Sequence, residues 1–165
     1  MICLRLTEST RQCRGSETGI SFHSRWRLNL RTPTQAGLLA GMPKAKRDPA
    51  REERIEQEII VDANGGEEQA MGWYYYLEEQ LHFPFQAKCI APRPVSPLRK
   101  GEAVEVVGLA PEDECSHEMF ATVKWENRTL AVPLMQLQPA GADKSTQQAV
   151  GDWHYWVRQG YEFAD

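Results

Sequence analysis

The feature that most constrains the fold is a change of period along the chain. Over residues 67–82 the apolar side chains Ala70, Trp73, Tyr74, Leu77 and Leu81 recur at three- and four-residue spacing, which lays them along one face of an α-helix. Over residues 95–140 the spacing falls to two: Ala103, Glu105 and Val107 alternate with Val104, Val106 and Gly108, as on a pleated strand with one face inward. A further strand-like run covers Met119 to Trp125, and a tight turn at Glu126-Asn127-Arg128 leads into another from Thr129 to Val132. Pro133 to Leu137 reads as the single helical turn that ends many small SH3-type barrels. A last helix starts at Ser145, with Gln148 completing a capping box, apolar positions at Val150, Trp153, Trp156 and Val157, and Gly160 as its stop.

Ahead of these elements, Asp48-Pro49 is a helix start, an acceptor side chain followed by a proline in the first turn. Residues 49–63 continue it, with Ile55, Ile59 and Ile60 inward. The β-branched run Ile59-Ile60-Val61 also fits a short strand, and Asn64-Gly65-Gly66 ends the element. The expected fold class is therefore α+β: two N-terminal helices, a small SH3-like β-barrel and a C-terminal helix packed across it.

Charge divides the chain. Residues 1–47 hold nine Lys/Arg against two Asp/Glu, a net +7, whereas residues 48–165 hold ten against twenty-one, a net −11. The acidic part repels nucleic-acid phosphates and attracts cations. Residues 1–41 have no sustained apolar period. Their composition is that of an organelle transit peptide, Arg-rich and poor in acids, or, as a third choice, of a basic nucleic-acid arm. Met42-Pro43-Lys44-Ala45-Lys46 is a common kind of protein start. Residues 1–41 are accordingly read as a disordered basic extension upstream of a misassigned start, and residues 42–165 as the functional domain.

Catalytic signatures do not emerge. The sequence has no glycine-rich phosphate loop, nucleophile elbow or paired-histidine metal motif. Cys3, Cys13, Cys89 and Cys115 form no C-x-x-C pair, and the expectation is reduced thiols in the cytoplasm. Cys115 and His117 are a nucleophile–base pair only by residue type. Nothing is apolar for long enough to span a membrane.

Several separated motifs instead resemble one family. They are Glu58-Ile59-Ile60-Val61-Asp62-Ala63; Met71-Gly72-Trp73-Tyr74-Tyr75-Tyr76-Leu77-Glu78; Phe83-Pro84-Phe85 with Cys89; Ser96-Pro97-Leu98; Leu130-Ala131-Val132-Pro133-Leu134; and Asp152-Trp153-His154-Tyr155-Trp156 with Gly160-Tyr161. In this order they resemble the cyanobacterial calcium-binding protein family, CcbP-like, over most of residues 51–163. The resemblance implies a non-enzymatic, cytosolic protein that binds Ca2+ through surface carboxylates without an EF-hand.

Calcium takes six to eight oxygen ligands, so several acids must converge. The segment from Asp62 through Asn64 fails as an EF-hand loop, because its fifth, sixth and twelfth positions are Gly66, Glu67 and Trp73. The first candidate is the loop Glu112-Asp113-Glu114, with Glu118 nearby. It ranks above the acidic arc of the central helix, Glu67, Glu68, Glu78 and Glu79, because a loop also offers carbonyl oxygens. Glu78 or Glu79 is a further contributor, and Asp62 completes the candidate ligands. The expected partner is the calcium ion, with no nucleic acid and no membrane. The competing reading is a protein–protein adaptor that uses the barrel face and carries its acids for solubility.

Overall fold

The computed structural model describes residues 45–163; the expectations for residues 1–41 lie outside them. Helix α1 spans Pro49–Arg54, capped by the Asp48 carboxylate, which accepts from the Arg51 N–H at 3.3 Å. It widens into a π-turn over Ile55–Ile59, in which the Ile60 N–H reaches the Ile55 carbonyl at 3.0 Å. The helical stretch thus ends four residues before the expected 63, and Ile59-Ile60-Val61 forms no strand. Asp62 adopts the left-handed conformation there (φ 56°), whereas the expected turn residue Gly65 is extended (φ 170°).

Helix α2, Gly66–Gln80, follows. Ala70, Trp73, Leu77 and the adjoining Leu81 are buried, as their spacing requires. Gly72 permits the close contact with the π-turn, since a Cβ there would lie 2.2 Å from the Ile59 carbonyl oxygen and something would have to shift.

Five strands form one antiparallel sheet: β1 Phe85–Cys89, β2 Ala103–Leu109, β3 Phe120–Trp125, β4 Arg128–Pro133 and β5 Leu137–Pro139. Their order is β4-β3-β2-β1-β5. The α+β class holds, but the expected closed barrel is not formed, because no ladder joins the edge strands β4 and β5 among the described residues. Those two edges are nevertheless linked by a single 3-10 turn, Leu134–Gln136. Three residues reach only about 10 Å, so the sheet must curl until its edges approach one another. Two strands were not anticipated. In β1, Phe85, Ala87 and Cys89 alternate inward around Gln86 and Lys88, and β5 is three residues long.

Helix α3, Lys144–Gln159, closes the domain. Its cap is Asp143, not the expected Ser145. The Asp143 carboxylate accepts from the Thr146 hydroxyl at 2.7 Å and the Thr146 N–H at 3.2 Å, and these bonds hold its pKa well below the usual carboxylate range. Ser145 instead donates to Gln80 at the end of α2. Gly160 (φ 87°) stops the helix. Trp73 meets Trp153 and Trp156 at ring-centroid distances of 5.2 and 5.7 Å. Beside them the fully buried Asp152 receives a two-pronged contact from Arg54 (2.9 and 2.7 Å) and the Tyr76 hydroxyl at 3.1 Å. With Arg51 Nε 3.1 Å from the same carboxylate, this network ties α1, α2 and α3 together.

Candidate metal site

The loop between β2 and β3 contains a 3-10 turn, Glu112–Cys115. Its apolar anchor is Cys115, which is 1% exposed and whose sulfur accepts the Phe120 N–H at 3.5 Å. Burial pushes the Cys115 thiol pKa up, so the nucleophilic thiolate is disfavoured and pairing with His117 gains no support. With the cysteine inward, Glu112, Asp113 and Glu114 face solvent. The far end of the loop is fixed by Glu118, both of whose oxygens lie 2.9 Å from Arg93 Nη2. Burial raises the Glu118 pKa despite that guanidinium. Its carboxylate is thus already engaged in holding the loop.

Two of these exposed turn acids also border helix α2. Glu112 and Asp113 line a cavity of about 280 Å³ together with Glu67 from the first turn of α2, with Tyr74, Met71 and His117 around them. The Tyr75 hydroxyl donates to Glu112 at 3.3 Å. Burial first, then the carboxylates of Glu78 and Glu112 with the Cys115 sulfur, raise the Tyr74 pKa. Glu112 first, then burial and Glu78, raise that of Tyr75. Both phenols therefore stay neutral. Of the candidate ligands, Glu112 and Asp113 line one cavity, whereas Glu78, exposed on α2 four residues after Tyr74, does not line it. Glu79 is exposed on α2, and Asp62 lies in the preceding turn, where its carbonyl accepts from the Asn64 side chain at 2.9 Å.

The donors are carboxylate and hydroxyl oxygens, the chemistry that hard cations select. Among the described residues, no three Asp, Glu, His or Cys side chains already stand as a ready-made ligand group. The donor set suits calcium in kind, and a full shell requires carbonyls, waters or a shift of the loop. From sequence Glu67 was read only as part of the acidic arc of the central helix, ranked below the loop; its place beside the loop acids depends on the loop folding back over the start of α2. Gly66, the residue before it, borders this cavity and a second one between α1 and α3.

No helix among the described residues is long and apolar enough to cross a membrane. The profile of a family described as calcium binding, CcbP, matches residues 53–157. The crystal structure of Anabaena CcbP is similar at 42% identity, covering 74% of this chain and 100% of that one, with a TM-score of 0.66. A calcium-binding protein in the calcium-binding form is similar at 42% identity, covering 71% and 96%, with a TM-score of 0.64. No curated protein matches the sequence. With the family profile spanning most of the folded part and a solved relative covered end to end, the chain belongs to the CcbP family of calcium-binding proteins.

Proposed function

We propose that this protein binds Ca2+ without catalysing a reaction, acting as a calcium buffer or sensor in the cytoplasm, and that the ion sits at the Glu112-Asp113-Glu114 turn. The observation that carries the reading is the cavity that Glu112 and Asp113 line together with Glu67. Glu78 adds charge from the next turns of α2, and Tyr75 steadies Glu112. Glu118 acts indirectly, by pinning the loop through Arg93. A site on a short exposed turn lacks the rigid frame of an EF-hand, so its affinity belongs in the range of about 10⁻⁶ to 10⁻³ M. Magnesium, which demands strict octahedral geometry, binds more weakly.

Isothermal titration of the parent and of the triple variant Glu112→Gln/Asp113→Asn/Glu114→Gln tests the assignment. The variant is expected to lose most of the calcium heat. It is also expected to melt no lower than the calcium-free parent, because removing the acids relieves repulsion. In the parent, calcium raises the melting temperature by stabilising the folded state. If the variant binds calcium as tightly as the parent, the turn is not the site. Equal affinity for magnesium would reduce the binding to a diffuse ion atmosphere.

A further inference from the structure

The second cavity, between α1, the start of α2 and the end of α3, encloses about 390 Å³. Its floor is apolar: Ile55 and Trp156 are 3% and 6% exposed, and Ile60 is half-buried. Tyr161 stacks on Trp156 at 4.5 Å and remains 48% exposed, and Val61, beside Ile60, is 56% exposed. The rim is acidic, with Glu52, Glu56 and Glu162. Glu56 and Glu162 have no ion-pair partner among the described residues.

The rim already takes guanidinium groups. Arg47 Nε lies 3.2 Å from Glu52, whose other contact is the Tyr155 hydroxyl at 2.7 Å. The Arg51 guanidinium stands 5.6 Å above the Tyr155 ring, within cation–π range. An apolar floor with aromatic walls and two uncommitted carboxylates complements a side chain with an alkyl stem and a cationic head beside an aliphatic neighbour. Residues 48–165 carry a net −11, which draws cationic partners to this surface.

We propose that this groove docks a short segment of a partner protein in which arginine or lysine adjoins an aliphatic residue. The proposal stands apart from the calcium site and does not depend on it.

The test uses the full chain, labelled for amide NMR, with two end-blocked hexapeptide probes. In one, two arginines flank two leucines; in the other, glutamates replace the arginines. The arginine probe is expected to shift the amides of Ile60, Gly65, Tyr155 and Tyr161 saturably, and to bind more weakly as salt rises. The glutamate probe leaves them in place. The variant Glu56→Gln/Glu162→Gln, at exposed positions, keeps the parent melting temperature and binds the arginine probe at least about fivefold more weakly, the loss of two screened attractions. Equal binding of both probes, shifts confined to residues 112–117, or an unchanged affinity of the variant overturns the proposal. Concentration-dependent shifts of the same amides without probe would assign the groove to a second copy of the chain and overturn it as well.

Discussion

At the scale of single residues, buried titratable groups tell how the domain responds to acid. His154 is nearly inaccessible, with Nε2 3.3 Å from the Leu134 carbonyl, and burial pushes its pKa down to about 4 from 6.5. The folded state thus resists a proton that the unfolded chain accepts. Stability is intact above the unfolded pKa and falls as pH drops from about 6.5 toward about 4, by up to about 3 kcal/mol from this group. Carboxylates with depressed pKa values, such as Glu52, held down mainly by the Tyr155 hydroxyl, lose their contribution only at lower pH. Melting curves across this window should show a steeper fall for the parent than for His154→Phe; parallel curves would remove His154 as the cause. From sequence, His154 was one aromatic-like residue among many in Asp152-Trp153-His154-Tyr155-Trp156. Its burial follows from the packing of α3 on the turn before β5. The loop acids were legible as local charge density, but the capture of Glu118 by Arg93, twenty-five residues earlier, has no local signal.

At the scale of elements, the helices were legible because their periods are local, and their ends were less so because caps depend on competing partners. Ser145 looked like a cap and became a bridge to Gln80, while Asp143 took the cap. The run Ile59-Ile60-Val61 suits helix or strand by its β-branching. What decides is a distant residue: Gly72 leaves room for the Ile59 carbonyl, so the π-turn packs directly on α2. Gly72→Ala should therefore destabilise the domain, although alanine is the better helix former. Forcing α1 and α2 apart in a packed core costs about 1–3 kcal/mol, and chemical denaturation should read this as a lower midpoint with an unchanged slope. An unaltered midpoint would mean that the contact relaxes without cost. Strands β1 and β5 escaped notice because Gln86, Ala87 and Lys88 have little strand propensity and three residues are too few to set a period.

At the scale of the whole molecule, the acidic balance of residues 48–165 and the helix–sheet division were both readable in advance, whereas the open curl of the sheet was not, since pairing order is nonlocal. That curl governs the order of assembly. Strand β5 pairs with β1 about fifty residues earlier, Cys89 opposite Leu137, yet it is tethered to β4 by only the turn Leu134–Gln136. It cannot reach β1 until the meander of β1, β2, β3 and β4 has formed and bent, and loop closure of that span carries its entropic cost before the three-residue ladder returns anything. The β1–β5 pairing then closes in the same cooperative step as that bending, a latch held shut by α3 packing behind it. Native-state hydrogen exchange should find the β1–β5 amides opening together with the rest of the sheet; independent, low-energy opening of that edge would show a latch that works loose by itself. A chain joined this way has one short turn through which both rims of its sheet rise or fall together, so that damage at Leu134–Gln136 unfastens two edges at once.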